Sequence, residues 1–283
     1  MAKIIIFGGS GFIGKSLIRF IEKSGADYIS VSSKDINLIL PDSVKQISET
    51  VKSGDSIILL SALTPEKGKD WDVCINNLLM VKHLLSGIEK IDVKQCVYVS
   101  TDAVYPLTND VIDETSVINP TNLYGYSHAV RERMIIDYFP AEKLTILRPC
   151  AVYGFEDAHN SYGIMRFVRS AVEKGEIHLF GGGEEYRDHV HADDLSQIIA
   201  ESIMKQIPGI FNIATGKSFR FYEIAELIKS RANKKINIIN KPRSLPILHR
   251  HVNTAKLSAT FPNSPLRSVQ NGVQYTMKEY DLL

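Results

Sequence analysis

The sequence predicts an α/β protein in which helices cover both faces of a doubly wound parallel sheet, followed by a smaller C-terminal lobe. Up to Pro149, short apolar runs alternate with stretches whose apolar residues recur at helical spacing, which is typical of such a sheet. Beyond Pro149 this alternation gives way to loops rich in glycine, histidine and asparagine. We therefore expect residues 1–152, completed by about 189–216, to form the sheet domain, and residues 153–188 and 217–283 to form the lobe.

The elements can be assigned in order along the chain. Apolar runs predict strands at residues 3–7, 28–31, 56–60, 95–100 and 144–147, and helical spacing predicts helices at residues 15–23, 43–52, 73–91 and 126–138. In the later part we expect a helix at 164–174, a hairpin-like turn at 181–183, a strand at 210–213 and a helix at 221–231. The segment from Pro242 onward has only weak periodicity.

Composition and charge exclude several classes of partner. The 283 residues are 44% hydrophobic, and 33 basic and 32 acidic residues leave a net charge of +1, so no overall field attracts nucleic acid or an anionic membrane. No apolar run approaches the ~20 residues of a membrane helix and the N-terminus leads straight into a strand, so we expect a cytoplasmic protein. Cys74, Cys96 and Cys150 are scattered, which fits reduced core residues better than a disulfide or a metal site.

The segment IIIFGGSGFIG joins the first strand to the first helix. Gly8 permits a tight turn, Gly11 lets a pyrophosphate approach the backbone, and Gly14 allows close packing of helix on strand. The helix N-terminus, with Phe12 and Ile13, adds N–H groups and a favourable dipole. This context predicts a Rossmann-type dinucleotide-binding domain.

The end of the second strand bears on the choice of cofactor. An acidic residue there normally binds the adenosine ribose of NAD. This chain instead has Ser32, Ser33 and Lys34, whose hydroxyls and cation suit a 2'-phosphate, so the sequence favours NADP(H). NAD(H) is the alternative if Asp35 takes the place of the missing carboxylate.

Four further segments complete a family pattern. They read STDAVY from Ser100, NPTNLYGYSH from Asn119, LRPCAVYG from Leu147 and YRDHVHADDL from Tyr186. With the glycine loop they resemble the extended short-chain dehydrogenase/reductase family that acts on nucleotide sugars, over nearly the whole chain. The resemblance implies NAD(P)-dependent chemistry on a sugar carried by a nucleoside diphosphate.

The resemblance also assigns roles within the catalytic site. Thr101 would hydrogen-bond the sugar oxygen at the reacting carbon, and Tyr124 would exchange a proton with that oxygen while the nicotinamide exchanges hydride. The family has a lysine four residues after the tyrosine, which lowers the phenol pKa and holds the nicotinamide ribose, whereas this chain has His128. We expect Tyr124 and His128 to contact the cofactor, together with Ser61 and Ala62 at the end of the third strand.

Substrate contacts are expected from Asn77, Asp102, Arg187 and Arg243. The two arginines match phosphate-binding arginines of the family, and two guanidiniums can clamp a diphosphate. Asn77 matches a helix asparagine of the family, for which a structural role is the firmer interpretation.

Several positions depart from the pattern or lie beside it. Ala103 stands where the family's dehydratases have a glutamate, so dehydration is not expected, and Ala151 replaces an asparagine that contacts the nucleotide diphosphate. His159, His189 and His191 lack ligand spacing and are interpreted as loop or core groups. The run HAVRERM, which starts at His128, predicts a charged, solvated helix face, and the resemblance implies that this helix packs against a second copy in a homodimer.

The histidine at position 128 favours reduction over oxidation. With an ordinary pKa near ~6.5 it is mostly neutral at pH 7 and aids phenolate formation less than a lysine. Oxidation of an alcohol needs the phenolate, whereas reduction of a ketone needs the protonated phenol. We therefore predict reduction of a 4-keto-deoxy sugar linked to a nucleoside diphosphate, with Tyr124 as the proton donor. The alternatives are a nucleotide-sugar 4-epimerase and a catalytically weak or silent cofactor-binding sensor or scaffold protein.

Overall fold

The computed structural model describes residues 2–157, 162–244 and 246–283. In chain order its strands are β1 (Ile4–Phe7), β2 (Tyr28–Val31), β3 (Ser56–Leu59), β4 (Gln95–Val99), β5 (Val111–Ile112), β6 (Leu144–Pro149), β7 (Ala151–Tyr153), β8 (Glu176–Phe180), β9 (Tyr186–Arg187), β10 (His189–His191), β11 (Gly209–Ile213), β12 (Phe219–Arg220), β13 (Asn237–Lys241) and β14 (His251–Val252). Its helices are α1 (Phe12–Ser24), α2 (Ser43–Thr50), α3 (Trp71–Gly87), α4 (Leu123–Tyr138), α5 (Ile164–Lys174), α6 (Ala192–Lys205), α7 (Phe221–Arg231), α8 (Ala255–Thr260) and α9 (Val269–Glu279). Short 3-10 turns occupy Asp102–Val104 and Ala141–Lys143.

The described residues form two compact units. The first contains the chain up to Pro106 with Glu114–Pro149 and Leu195–Asn212, and the second contains Leu107–Asp113, Cys150–Asp194 and Ile213–Leu283. Leu107–Asp113 belongs to the second unit because β5 pairs with β14, and β10 belongs to it because it pairs with β7.

The first unit is built on a six-stranded sheet with strand order β11-β6-β4-β3-β1-β2. β1 pairs in parallel with β2 on one side and with β3 on the other, and the pairs β3–β4 and β4–β6 are parallel as well. β1 and β3 are buried along their whole length, as expected of strands covered on both faces. The predicted doubly wound parallel sheet is confirmed. Its strand order reverses between β1 and β3, and open α/β sheets bind ligands at the carboxyl ends of the strands at this point.

The helices of the first unit cover this sheet. α3 packs against both α2 and α4. The core beneath them includes the fully buried side chains of Ile5, Ile57 and Tyr98. α4 begins at Leu123 rather than at the predicted residue 126, because Asn122 caps it. The earlier start places Tyr124 in the first turn of the helix.

The second unit differs from the expectation in one turn and one helix. A turn is present at the predicted residues 181–183, but the prediction that it joins a hairpin is wrong, because β8 pairs in parallel with β13 and β9 pairs with β12. The weakly periodic C-terminal segment contains α9, whose central Gly272 lowers helix propensity. That glycine is required by packing, since a Cβ there would lie 1.8 Å from the Tyr153 hydroxyl.

The predictions for the later helices and the remaining histidines concern mainly this unit. The helices at 164–174 and 221–231 are confirmed as α5 and α7. His189 and His191 are buried on β10, as expected of core groups, and His159 lies outside the described residues. No helix within the described ranges is long and apolar enough to span a bilayer.

Candidate active site

The glycine loop closes tightly over the end of β3. The amide of Gly8 donates to the carbonyl of Val31 at 2.8 Å, and Gly8 has a φ of 92° that disfavours other residues. A Cβ on Gly8 would lie 2.8 Å from the Ser61 amide nitrogen, and one on Gly14 would lie 2.4 Å from the carbonyl of Gly9. Glycine is therefore required at both positions by backbone contacts.

Gly11, in contrast, faces open space. A Cβ on Gly11 would meet only the carbonyl of Gly8, at 3.3 Å. Gly11 is the N-cap of α1 without a capping side chain, so the amides of Phe12 and Ile13 at the helix start are available to a ligand. An uncrowded backbone and a helix N-terminus fit the pyrophosphate of a dinucleotide.

Sequence analysis missed a fourth glycine of this loop. A Cβ on Gly9 would lie 2.2 Å from Oγ of Ser30, so Gly9 lets β2 approach the loop. The motif spacing alone does not single out this position, because the contact depends on a residue of the next strand.

A carboxylate lies in the turn that follows β2, although no residue of β2 itself is acidic. β2 ends at Val31, and Oδ2 of Asp35 accepts hydrogen bonds from the amide and the hydroxyl of Ser32, at 2.9 and 2.6 Å. These hydrogen bonds lower the pKa of Asp35. Ser33 and Lys34 are exposed on the same turn. The turn thus presents an ionised carboxylate beside the first serine of the sequence SSKD.

Tyr124 and Thr101 meet because two turns pack closely. Oδ1 of Asn122 accepts from the amide of Gly125 at 2.9 Å, which fixes the first turn of α4. A Cβ on Gly125 would lie 2.3 Å from the carbonyl of Ala103, so only glycine lets α4 approach the 3-10 turn that follows Thr101. The side chain of Thr101 is close enough to the phenol of Tyr124 to lower the phenol pKa.

This environment keeps the Tyr124 phenol protonated at neutral pH. Burial raises the pKa of Tyr124 to about 12, against the opposing effects of the Arg131 charge and the Thr101 side chain. A phenol in this state carries a proton that it can donate.

His128 is buried beneath Tyr124. The two ring centroids are 4.6 Å apart at an interplanar angle of 62°, and Nδ1 of His128 lies 2.7 Å from the hydroxyl of Tyr98. Burial, with the nearby charge of Arg131, holds the pKa of His128 well below its usual value, so the imidazole is neutral. Its Nε2 is buried and meets no hydrogen-bond partner in the described part of the chain. The expected contact of His128 with the cofactor stays a prediction.

The interpretation of HAVRERM as a solvated face is wrong for two of its charges. Arg131 is fully buried and Glu132 is nearly so, whereas Arg133 is exposed and pairs with Asp137. The carboxylate of Glu132 accepts from Arg148 at 2.6 Å.

This ion pair belongs to a polar network below the site. Ser100 donates to Glu132 at 2.5 Å, and Arg148 donates to the hydroxyl of Tyr105 at 2.7 Å. Tyr105 in turn donates to Asn212 at 2.8 Å. The network ties α4 to the ends of β4 and β6, and so fixes the helix that carries Tyr124.

Asn77 uses its amide within the protein. Its Oδ1 accepts from the amide of Leu63 at 2.7 Å and its Nδ2 donates to the carbonyl of Leu63 at 2.9 Å. These bonds hold the loop between β3 and α3. Asn77 also lines a cavity of about 260 Å³ together with Asn122 and Tyr124. The expected contact of Asn77 with substrate stays a prediction, while its structural role is observed.

The cofactor positions after β3 are held by the backbone. The amide of Ser61 donates to the carbonyl of Phe7 at 3.1 Å, and the carbonyl of Ser61 accepts from Arg131 at 2.6 Å. Ala62 follows, partly exposed. Ser61 and the glycine loop are thus in direct contact, as a shared cofactor site requires.

The two arginines of the second unit are engaged with protein groups. Arg187 donates to the carbonyl of Leu248 at 2.6 Å. The guanidinium of Arg243 pairs with the carboxylates of Glu184 and Glu185. A diphosphate would have to compete with those carboxylates for Arg243, so its role as a phosphate ligand stays a prediction.

No metal cluster accompanies these groups. Within residues 2–157, 162–244 and 246–283, no three histidine, cysteine or acidic side chains are placed to hold a metal ion. Cys96 and Cys150 are buried and Cys74 is partly buried, all three as free thiols.

Comparison with protein families now gives the class. Residues 4–214 match the model of the NAD dependent epimerase/dehydratase family. The match covers most of the chain, which therefore belongs to this family. The expected membership among extended short-chain dehydrogenases/reductases is confirmed, as is the expectation of an NAD(P)-dependent oxidoreductase or epimerase.

Characterised relatives span more than one activity. Over 233 residues the chain is 28% identical to the GDP-6-deoxy-D-talose 4-dehydrogenase of Aggregatibacter actinomycetemcomitans, covering 80% of this chain and 79% of that protein. Over 261 residues it is 23% identical to N-acetyl-alpha-D-glucosaminyl-diphospho-ditrans,octacis-undecaprenol 4-epimerase of Escherichia coli O157:H7, covering 87% and 77%.

Solved structures confirm the fold. The UDP-glucose 4-epimerase of Thermus thermophilus in complex with NAD superposes with a TM-score of 0.87 at 20% identity, covering 98% of both chains. RMD of Pseudomonas aeruginosa complexed with NADPH gives a TM-score of 0.85 at 18% identity, covering 99% of both. The same fold thus holds either dinucleotide in different proteins.

Proposed function

We propose that this protein reduces the 4-keto group of a deoxy sugar linked to a nucleoside diphosphate. The observation that carries the proposal is the protonated phenol of Tyr124, which lies beside a neutral histidine and close to the side chain of Thr101. A protonated phenol suits reduction of a carbonyl, whereas oxidation of an alcohol would need the phenolate.

The side chains of Thr101 and Tyr124 carry out the proton transfer in this reaction. When bound, the reduced nicotinamide supplies the hydride that adds to the carbonyl carbon. The hydroxyl of Thr101 orients the carbonyl oxygen, and the Tyr124 hydroxyl transfers its proton to that oxygen as the C–O double bond becomes a single bond. The resulting phenolate regains a proton from solvent before the next turnover. Asp102 follows Thr101 in the same turn and would contact the sugar.

Two features support the position and the kind of reaction. The similar protein from Aggregatibacter is a 4-dehydrogenase of a nucleotide-linked deoxy sugar, so it performs redox chemistry at the same carbon. Ala103 offers no acid or base for dehydration next to Thr101.

A 4-epimerase is the second candidate. An epimerase oxidises and then reduces carbon 4 with a cofactor that it retains, and the carboxylate of Asp35 at the end of β2 favours NAD, the cofactor bound in the similar Thermus epimerase. The protonated phenol of Tyr124 argues against the oxidative half of that cycle.

For cofactor preference, the geometry supports the NAD(H) alternative over the NADP(H) favoured by the sequence. The carboxylate of Asp35 accepts hydrogen bonds from the amide and the hydroxyl of Ser32, the two donors that a 2'-phosphate would use. The negative charge of that carboxylate would also repel the phosphate. Lys34 is exposed, so its ammonium would have to be ordered by the phosphate in order to bind it.

We further propose that Arg187 and Arg243 bind the diphosphate.

We also propose that two copies of the chain associate through α3 and α4. Each helix exposes two apolar side chains at a spacing that places them on one helix face, Trp71 and Ile75 on α3 and Tyr126 and Val130 on α4. Sedimentation would test this dimer. The free thiols suit a reducing compartment such as the cytoplasm.

A thermal-shift panel tests the proposed function. It crosses NAD, NADH, NADP and NADPH with UDP, GDP, CDP and dTDP, because a ligand that binds only the native state raises its apparent stability. We expect a reduced cofactor and one nucleotide to stabilise the protein together. Stabilisation by cofactor with no effect of any nucleotide would overturn the nucleotide-sugar assignment and support the sensor alternative.

A further inference from the structure

Arg131 is a buried cation whose contacts within the described residues are with neutral groups. Its side chain has no exposed surface. Nη2 donates to the carbonyl of Ser61 at 2.6 Å, and Nη1 lies 3.4 Å from Oδ1 of Asn77. The guanidinium carbon stands 5.2 Å from the centre of the Tyr98 ring.

No carboxylate compensates this charge. In the described part of the chain, Arg131 forms no ion pair, whereas the neighbouring Glu132 is fully engaged by Arg148 and Ser100. A buried cation without a counter-ion carries an uncompensated desolvation cost. The fold retains this charge at that cost, which points to a role other than stability.

The charge faces the candidate catalytic pair. Arg131 follows His128 by three residues and Tyr124 by seven, which places the three side chains along one stripe of α4. Its charge lowers the pKa of Tyr124 against the larger effect of burial, while the carboxylates of Asp102 and Glu66 raise it.

His128 cannot supply positive charge itself. It is buried, and Arg131 adds to the effect of burial in keeping it neutral. Nδ1 is occupied by Tyr98, which leaves only the unpartnered Nε2 for a ligand. A neutral imidazole at this depth can contribute one hydrogen bond and no net charge.

We propose that Arg131 supplies the positive charge that acts on the Tyr124 phenol, and that His128 contributes a neutral hydrogen bond from Nε2 to the bound dinucleotide. A single lysine ammonium could both act on the phenol and bind the dinucleotide. In this chain the two tasks are divided between Arg131 and His128, on adjacent turns of α4. Arg131 is a positioning residue, because it acts through Tyr124 and through the carbonyl of Ser61. The proposal rests on the role of Tyr124 as proton donor.

Titration of the phenol tests this division without any substrate. A fluorinated tyrosine introduced at position 124 has a more acidic phenol, whose ionisation can be followed by fluorine NMR within the pH range that the fold tolerates. In Arg131→Gln we expect its pKa to rise by about one unit, because a charge two helical turns away, at about 10 Å, shifts the pKa of a buried group by about that amount at an effective dielectric constant of about 20. Arg131→Lys should restore the wild-type value.

The matched control is Arg133→Gln, which removes an exposed charge from the same helix. Equal pKa values in Arg131→Gln and Arg133→Gln would overturn the proposal. If Arg131→Gln does not fold, Arg131→Met, which also removes the charge, provides a second test with the same expected rise in the phenol pKa. An unchanged phenol pKa in Arg131→Met would likewise overturn the proposal. Because no sugar is present, failure of this titration is distinct from failure of the proposed reaction.

Discussion

The hydroxyl of Tyr98 lies 2.7 Å from Nδ1 of His128, so the histidine is anchored to β4 rather than to the phenol of Tyr124, which precedes it on α4. Tyr124 contacts the same imidazole edge-on through its ring. The histidine therefore stays neutral and supports the phenol by packing, which suits an acid that gives up its proton during reduction.

Replacement of Tyr124 by phenylalanine should abolish turnover and preserve cofactor binding. Loss of a positioned general acid costs about 10²–10⁴-fold in rate, while the glycine loop is untouched. Steady-state rates and fluorescence titration with NADH measure the two effects. Tyr126→Phe changes an exposed tyrosine two residues away and should leave both unchanged. Equal rates for Tyr124→Phe and Tyr126→Phe would remove the proton-donor role.

Asp35→Asn should shift cofactor preference toward NADPH. The substitution removes the negative charge beside Ser32, so we expect the ratio of NADPH to NADH affinity to rise by about tenfold. Binding titrations of both cofactors give this ratio, and Asp42→Asn is the control on an exposed carboxylate of the same region. An unchanged ratio would mean that the carboxylate does not face the adenosine ribose.

Glu132→Gln should destabilise the protein strongly. The Glu132–Arg148 pair is only 4% exposed on each side, and removal of one partner leaves a buried charge uncompensated, at a cost of about 3–5 kcal/mol. Urea unfolding measures the loss. The double variant Glu132→Gln, Arg148→Met should recover part of it, whereas Glu49→Gln breaks an exposed pair with Lys45 and should cost little. A small effect of Glu132→Gln would contradict the buried network.

Stability should fall as pH drops from about 6.5 to 4, partly through His189. Burial lowers the pKa of His189 to about 4 in the folded state, below its unfolded value, so the unfolded chain takes up the proton first. The stabilisation is present above the unfolded pKa and is lost through this window, by about 3 kcal/mol for this histidine. Burial raises the pKa of Asp188 and Asp194, which acts in the opposite direction.

The slope of unfolding free energy against pH isolates the effect of His189. His189→Phe should flatten the slope between pH 6.5 and 4, since the two carboxylates are retained in both proteins. His178→Phe replaces a partly exposed histidine and serves as the control. Identical slopes for wild type and His189→Phe would show that this histidine titrates normally.

The strands and the glycine loop were predictable because their signals are local. The apolar run IIIF, three glycines and an apolar helix stripe lie within one continuous segment, and the structure adds only Gly9, whose need arises from Ser30 of the next strand. The meeting of Tyr124 with Thr101 followed from family resemblance. The structure supplies its physical basis in Asn122 and Gly125.

Spacing could not reveal which charges are buried. Arg131, Glu132 and Arg133 are consecutive charged residues, yet the first two are buried and contact Ser61 after β3, Ser100 after β4 and Arg148 on β6. Asp35 was ambiguous for a related reason, since its hydrogen bonds to Ser32 depend on the turn that follows β2. Both cases need three-dimensional contacts that no short motif encodes.

The most direct test of the proposed function follows the hydride itself. The protein is incubated with a 4-keto-6-deoxy sugar linked to the nucleotide selected by the thermal-shift panel, and with cofactor deuterated at the transferable nicotinamide position. We expect one equivalent of reduced cofactor to be consumed per product, with deuterium at carbon 4 of the sugar by NMR. Interconversion of 4-hydroxy epimers without consumption of the reduced cofactor, or no reaction with any 4-keto sugar, would contradict the reductase.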